Sequence, residues 1–143
     1  MKTLVIVDMQ PKFQSSQKEE LIENVKKQIT VANLNNWPII LLEFGGFGPT
    51  DQRILDALST IEYYKKTKDN DDGSEEVNET IEEFGLPRTV RLCGVNTNCC
   101  VYETYRGLAD QGYPLEVVKN ACNCVYSELT EPHPKKFDRA TIV

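Results

Sequence analysis

Residues 91–122 read RLCGVNTNCCVYETYRGLADQGYPLEVVKNAC, and this stretch decides the fold. The apolar run RLCGV at its start predicts a strand buried on both faces, which is typical of parallel sheets. The segment NCCVYETYRGLADQG predicts a helix that stops at Gly112, and PLEVVKNAC predicts the next strand. A strand, a helix and a second strand in this order form a βαβ unit, in which the two strands are parallel.

The rest of the chain repeats this alternation. Strands are predicted in TLVIVDMQ, PIILLEF and IEYYKKT, and helices in QKEELIENVKKQITVANLNNW and TDQRILDAL. SEEVNETIEEFG predicts a helix capped by Ser74 and ended by Gly85, and the proline-rich C-terminal segment is expected to end in a short helix. We therefore expect one α/β domain over residues 1–143. It should have three layers, α/β/α, with a mostly parallel sheet and helices on both faces in a Rossmann-like arrangement.

Composition and charge argue against several classes of partner. The 143 residues carry a formal net charge of −6, and no broad basic face is available for nucleic acid or an anionic membrane. No apolar run reaches the about 18 residues that indicate a transmembrane helix. The N-terminal residues lack the hydrophobic region and cleavage site of a signal peptide. We therefore expect a cytoplasmic protein that binds neither nucleic acid nor membrane.

Five cysteines leave a redox or metal-binding function open as one hypothesis. An odd number of cysteines in a chain expected to be cytoplasmic argues against a disulfide framework. Neither the adjacent pair nor the Cys-Asn-Cys pair has the C-x2-C spacing of common zinc sites. We therefore expect no metal and no cofactor. The five are Cys93, Cys99, Cys100, Cys122 and Cys124.

Three chemically capable side chains are expected at one edge of the sheet, because ligand sites of open α/β sheets lie at the carboxyl ends of the strands. Asp8 ends the first predicted strand, Lys65 and Lys66 end the third, and residues 96–100 follow the fourth. A thiol at a helix N-terminus beside a cation gains thiolate character, and free N–H groups there can bind an oxyanion. Taken singly, each residue is more simply a core, cap or solvated residue. Their convergence indicates an acyl-transfer site with a covalent intermediate.

These segments resemble the cysteine hydrolases of the isochorismatase-like superfamily, in the branch of nicotinamidases and N-carbamoylsarcosine amidases. LVIVDMQPKF resembles the opening strand of that family, and residues 91–122 resemble its second block. The resemblance implies that Cys100 is the nucleophile, Asp8 the proton acceptor and Lys66 the catalytic lysine. Lys65 and Lys68 compete for the last role, and Lys66 is chosen by its spacing and by the threonine that follows it.

The resemblance also implies a backbone device beside the nucleophile. The family has a cis peptide bond at the position of Val95-Asn96. This bond orients the oxyanion donors, which here would be the backbone N–H groups of Asn96 and Cys100. Adjacent residues of an α-helix point about 100° apart, so only one of Cys99 and Cys100 is expected to face the cleft.

The expected activity is hydrolysis of a C–N bond in a small amide or ureido compound through a thioester on the cysteine. The metal set Asp-x-His…His of the family's nicotinamidases is missing from LLEFGGFGPTDQ, where Glu43 and Asp51 are the only acids. We therefore expect a reaction that needs no metal. The resemblance also implies a small-molecule substrate and a homo-oligomer, which is common in the family. The alternative is a non-enzymatic member that acts as a small-molecule sensor or interaction scaffold. Candidates to line the substrate pocket are Phe13 and Phe44, and further Phe47, Tyr102 and Tyr126.

Overall fold

The computed structural model describes all residues 1–143 and contains a six-stranded, fully parallel sheet. Its helices are α1 (Glu19–Leu34), α2 (Gln52–Ala57), α3 (Ser74–Phe84) and α4 (Tyr102–Asp110), with a 3-10 turn at Gln14–Gln17 and a π-helical turn at Thr97–Val101. The predicted α/β fold is confirmed. The strands are β1 (Thr3–Val7), β2 (Ile39–Phe44), β3 (Tyr64–Lys68), β4 (Val90–Val95), β5 (Leu115–Asn123) and β6 (Thr141–Ile142), in the spatial order β3-β2-β1-β4-β5-β6.

The two faces of β1 belong to two separate apolar layers. Leu4 and Ile6 pack in the layer that contains α1 and α2, whereas Val5 and Val7 pack in the layer that contains α3 and α4. All four side chains are fully buried. Because successive side chains of a strand point to opposite faces, a strand covered on both sides has a continuous apolar sequence. Burial of such a side chain contributes about 1.5–3 kcal/mol.

The strand order sets the position of the ligand-binding edge. The chain runs outward from β1 through β2 to β3 and then returns to place β4 on the other side of β1. This reversal creates a topological switch point between the carboxyl ends of β1 and β4, where open α/β sheets bind ligands. Asp8 directly follows β1, and the π-helical turn closely follows β4.

Gly94 allows β4 to approach β1 closely at this switch point. Its φ is 121°, and a Cβ atom at this residue would lie only 2.1 Å from the carbonyl oxygen of Val7. Glycine alone tolerates both the backbone conformation and the close approach. Gly94 therefore determines how near the residues after β1 lie to those after β4.

Some local predictions fail at the ends of elements. Ser74 is the first residue of α3, and Gly73 is the N-cap. The carboxylate of Asp72 accepts the hydrogen bond from the N–H group of Ser74 at 2.8 Å. Gly85 ends α3 as predicted, in the left-handed conformation with φ 63°. The expected C-terminal helix is wrong, since residues 141–142 pair with the free edge of β5 and form β6. None of the helices combines the length and apolar composition that a membrane span requires.

Candidate active site

Asp8 and Lys68 form a buried ion pair at the carboxyl ends of β1 and β3. Nζ of Lys68 lies 2.9 Å from Oδ2 of Asp8, and the two side chains are 0% and 1% exposed. Lys68 also donates a hydrogen bond to the carbonyl oxygen of Asn70 at 3.0 Å. Neither carboxylate oxygen of Asp8 accepts a hydrogen bond of good geometry. The carboxylate therefore keeps capacity to accept a proton or a substrate N–H group.

Burial controls the protonation of Asp8. Removal from water raises the pKa of this carboxyl group above 3.8, and the positive charge of Lys68 opposes the rise. The backbone of Asp8 has φ 53°, which is uncommon for a residue other than glycine. Two hydrogen bonds hold this backbone. The N–H group of Asp8 donates to the carbonyl oxygen of Leu42, and the carbonyl oxygen of Asp8 accepts from the N–H group of Gln10. A carboxylate with a raised pKa and a fixed orientation suits a general base.

The structure places Lys68 beside Asp8, so the prediction that Lys66 pairs with Asp8 is wrong. β3 extends to Lys68, whereas the sequence predicts that it ends at Lys65 and Lys66. Lys66 and Lys68 share one face of the sheet because they are two residues apart. Lys66, however, pairs with Leu42 in the interior of β2 and lies about 6.6 Å back from the strand end. Lys65 points to the opposite face.

Cys100 lies in the π-helical turn after β4 and is 4% exposed. Its Sγ atom lies 3.7 Å from Oδ1 of Asp71. Burial and the charges of Asp8 and Asp71 raise the pKa of the thiol, while Lys68 lowers it. The raised pKa favours the neutral thiol, whereas the sequence predicts thiolate character for a cysteine at a helix N-terminus beside a lysine. A base must remove its proton before the sulfur can act as a nucleophile.

The two adjacent cysteines have different surroundings. Cys99 is half-buried, and its pKa is raised by burial and by Cys124 and lowered by Lys136. The pKa of Cys100 is raised by burial and by Asp8 and lowered by Lys68. The first turn is π-helical rather than the expected α-helical, a feature frequent at functional sites. The buried ion pair is thus adjacent to Cys100.

The peptide bond between Val95 and Asn96 is cis. The carbonyl oxygen of Asn96 accepts hydrogen bonds from the N–H groups of Cys99 and Val101, while its own N–H group donates to no other group of the protein. The Asn96 side chain accepts a hydrogen bond from the hydroxyl of Ser15. A free N–H group on a backbone fixed in this way can stabilise an oxyanion.

Phe13 and Phe44 belong to an aromatic cluster near Lys68. Phe47 completes the cluster, because its ring stacks on Phe13 at 4.7 Å and meets Phe44 edge-on at 5.0 Å between centroids. Nζ of Lys68 lies 4.1 Å from the centroid of the Phe44 ring. The side chain of Gln10 holds this region in place. Its Nε2 group donates hydrogen bonds to the carbonyl oxygens of Phe44 and Gly48, and its Oε1 atom accepts one from the N–H group of Phe44. The cluster is an apolar wall beside the ion pair.

No cavity of the structure is lined by Asp8 or Cys100. Lys68 borders an open groove whose other lining residues include four acids of the β3–α3 region. Tyr102 packs edge-on against the core residue Phe137 at 5.5 Å, and Tyr126 is 72% exposed. The two tyrosines therefore do not line a pocket here.

The two acids in and after β2, Glu43 and Asp51, do not fit the metal set of nicotinamidases. Oε2 of Glu43 accepts hydrogen bonds from the N–H and hydroxyl groups of Thr50 at 2.9 and 2.8 Å. Asp51 caps α2 and pairs with Arg53 at 2.9 Å, which holds the pKa of Asp51 well below its usual range. Both carboxylates are thus committed within the protein, and this segment contains no histidine.

Comparison with known proteins identifies the family of this chain. The family model for the isochorismatase domain matches residues 2–140. Isochorismatase domain-containing protein 2 of Xenopus laevis is 30% identical over 124 residues, which cover 84% of this chain and 59% of that protein. The protein of the same name from Bos taurus is 30% identical over 122 residues, with 83% and 58% covered. The chain thus spans about three fifths of the length of the curated relatives it matches.

Solved structures give the same fold. The nicotinamidase of Staphylococcus aureus has a TM-score of 0.75 at 14% identity, with 99% of this chain and 97% of that chain covered. N-carbamoylsarcosine amidase of Thermoplasma acidophilum has a TM-score of 0.77 at 18% identity, with 99% and 94% covered. At these identities the likeness shows the fold alone. The match of the family model along nearly the whole sequence shows that this chain belongs to the isochorismatase domain family.

Proposed function

We propose that this chain is a cysteine hydrolase that cleaves a C–N bond of a small amide or ureido compound, without a metal ion, through a thioester on Cys100. The observation that carries the proposal is the buried Asp8–Lys68 ion pair beside the Cys100 thiol. The raised pKa of the thiol means that a base is needed, and the buried carboxylate of Asp8 lies beside the thiol with Lys68 as its one ion-pair partner. The hydrogen bonds and the ion pair that already engage Glu43 and Asp51 support a reaction without a metal.

Asp8 starts the first half-reaction by taking the proton from Sγ of Cys100. The thiolate attacks the carbonyl carbon, so that a C–S bond forms and the carbonyl oxygen becomes an oxyanion. The N–H groups of Asn96 and Cys100 donate hydrogen bonds to this oxygen. Asp8 then gives its proton to the leaving nitrogen, the C–N bond breaks, and ammonia or an amine departs. A thioester on Cys100 remains.

Water completes the reaction. Asp8, again a carboxylate, takes a proton from a water molecule that attacks the thioester carbon. The C–S bond breaks, the carboxylic acid leaves, and Sγ recovers its proton from Asp8. Lys68 has one role throughout, because its positive charge lets the buried Asp8 start each half-reaction ionised. The aromatic cluster of Phe13, Phe44 and Phe47 supplies the apolar side of the substrate site.

A panel of small amides and ureido compounds tests this proposal. Release of ammonia or amine is measured for the wild type and for Cys100→Ala, with Cys99→Ala as a matched control in the adjacent residue. We expect Cys100→Ala to abolish hydrolysis and Cys99→Ala largely to spare it. The proposal fails if the wild type hydrolyses none of the compounds and an electrophilic probe leaves Cys100 unlabelled.

A non-enzymatic role as a small-molecule sensor or scaffold is the second candidate. The observation that favours it is the absence of a cavity at Asp8 and Cys100. The retained ion pair beside the thiol argues against it, since a sensor has no need of a base at a buried thiol. Calorimetry with the same panel separates the two, because binding to the wild type without product formation would favour the sensor.

We also propose that the chain acts as a homo-oligomer on a small-molecule substrate. The segment 125–130 holds the π-helical turn, since the carbonyl oxygens of Leu129 and Thr130 accept hydrogen bonds from the side chains of Asn98 and Thr97. The same segment exposes the apolar side chains of Val125, Tyr126 and Leu129. A second copy that covered it would bury apolar surface beside the site. Light scattering should give a multiple of 16.3 kDa, and a monomer would contradict the proposal.

A further inference from the structure

Asp71 is a second carboxylate at the thiol, and the mechanism above does not use it. Its Oδ1 atom lies 3.7 Å from Sγ of Cys100. Asp71 lies in the loop between β3 and α3 and is exposed, whereas Asp8 is buried. The thiol is thus adjacent to one buried carboxylate and to one that solvent and an arriving ligand can reach.

The loop that carries Asp71 is held in place. The carbonyl oxygen of Asp71 accepts a hydrogen bond from the hydroxyl of Thr104 in α4 at 3.5 Å. The same hydroxyl accepts a hydrogen bond from the N–H group of Gly73 at 2.9 Å. The N–H group of Asp72 donates to the side chain of Asn70 at 2.9 Å. These bonds on both sides of Asp71 fix its position beside the nucleophile.

The charge of Asp71 is not neutralised by a salt bridge, since none of the ion pairs of the structure includes it. Lys68 lies 2.9 Å from Asp8 and donates to Asn70, so it balances the buried carboxylate. Lys136 lowers the pKa of Cys99, and its Nζ atom lies 4.3 Å from the centroid of the Tyr102 ring. The exposed carboxylate of Asp71 beside Cys100 therefore has no partner cation.

We propose that Asp71 determines specificity: the Cys100 site takes an amide or ureido compound that carries an ammonium or guanidinium group near the reacting carbonyl, and it rejects compounds with a carboxylate there. This inference rests on the proposed function of Cys100 as a nucleophile. A unit charge about 5 Å from Asp71 at a partly solvated site changes an encounter or binding constant about tenfold. The charge of Asp71 raises the binding constant of a cation by the factor by which it lowers that of an anion. The ratio of the two binding constants therefore changes by between about tenfold and a hundredfold, and by less at high salt.

The test measures charge selectivity at Cys100 without turnover. Two methanethiosulfonates of similar size are compared, one with a trimethylammonium group and one with a sulfonate group. The Cys100 thiolate attacks the sulfenyl sulfur, a disulfide to the charged thioalkyl group forms, and methanesulfinate leaves. Rates are read by peptide mass spectrometry in a Cys99→Ser background, so that the adjacent thiol does not contribute. Each rate is divided by the rate of the same reagent with 2-mercaptoethanol.

The expected result is a normalised preference for the cationic reagent that falls by about tenfold or more in Asp71→Asn and reverses in Asp71→Lys. The ratio is independent of the thiol pKa, because both reagents react with the same thiolate. Asp69→Asn is the matched control, since it removes the same charge from an exposed acid of the same loop. It should leave the ratio within about twofold.

Two outcomes separate this inference from the proposed function. If Cys100 is labelled but Asp71→Asn changes the ratio no more than Asp69→Asn, the specificity role of Asp71 is refuted and the nucleophile stands. If neither reagent modifies Cys100, both proposals are overturned. Circular dichroism and urea unfolding of each variant show whether the fold is kept.

Discussion

Replacement of Lys68 by methionine leaves the carboxyl group of Asp8 buried without its cation. The two side chains are 0% and 1% exposed, and no second cation pairs with Asp8 to replace Lys68. Loss of one partner of a buried pair costs about 3–5 kcal/mol. Lys66→Met is the matched control, because Lys66 makes no salt bridge and is half-buried on the same face of β3. It should change the free energy of unfolding by no more than about 0.5 kcal/mol.

The cost of Lys68→Met depends on pH, because Asp8 can take up a proton instead of staying charged. The pKa of Asp8 is already raised above 3.8 by burial, and loss of Lys68 raises it further. The folded state then binds a proton that the unfolded state has released, so stability falls as pH rises from about 4 to the folded pKa and is constant above it. Protonation limits the penalty to about 1.36 kcal/mol per pH unit above the unfolded pKa. That limit is about 5.6 kcal/mol at pH 8 and about 1.5 kcal/mol at pH 5.

Urea unfolding of the wild type and both variants at about pH 5 and pH 8 measures this difference. We expect Lys68→Met to be destabilised strongly at pH 8 and weakly at pH 5, and Lys66→Met to follow the wild type at both. Equal losses for the two variants at pH 8, or a loss for Lys68→Met that does not change with pH, would show that Lys68 does not compensate the charge of Asp8.

Three further predictions concern the site and its support. Asp8→Asn should abolish amide hydrolysis yet speed alkylation of Cys100 by iodoacetamide at neutral pH, because the charge of Asp8 raises the pKa of the thiol; slower alkylation would contradict this. Gly94→Ala should cost about 3 kcal/mol or more in urea unfolding, since its Cβ would lie 2.1 Å from the carbonyl oxygen of Val7; a loss below about 1 kcal/mol would exclude the close approach. Gln10→Leu should cost about 2–4 kcal/mol by the same measurement, because it leaves the N–H and C=O groups of Phe44 and the C=O group of Gly48 without their partner. A neutral effect would contradict those bonds.

The fold was predictable because its signals are local. The continuous apolar runs at β1, β2 and β4 require burial on both faces, and strands that alternate with helices require parallel pairing. That order alone brings Asp8 and Cys100 to one edge of the sheet. The last strand was not predictable, since Thr141 and Ile142 form β6 only because β5 offers a free edge.

The lysine of the site could not be chosen from the sequence. Lys66 and Lys68 have the same alternation and point to the same face, and only the register of β3 against β2 decides which lies at the strand end. Register depends on how the connection through α2 packs, which is a contact between distant residues. Asp71 gave no signal at all, because it is one of several acids in a polar loop. Its place beside Cys100 depends on the contact of that loop with Thr104 in α4.

Acyl transfer to Cys100 is tested most directly by trapping the thioester. The wild type is mixed with a compound that it hydrolyses, quenched in acid within one turnover, and analysed by intact and peptide mass spectrometry. We expect the acyl mass on the Cys100 residue, its disappearance as the carboxylic acid is released, and its absence in Cys100→Ala. Turnover with no acyl adduct, or an adduct on Cys99 that persists in Cys100→Ala, would contradict it.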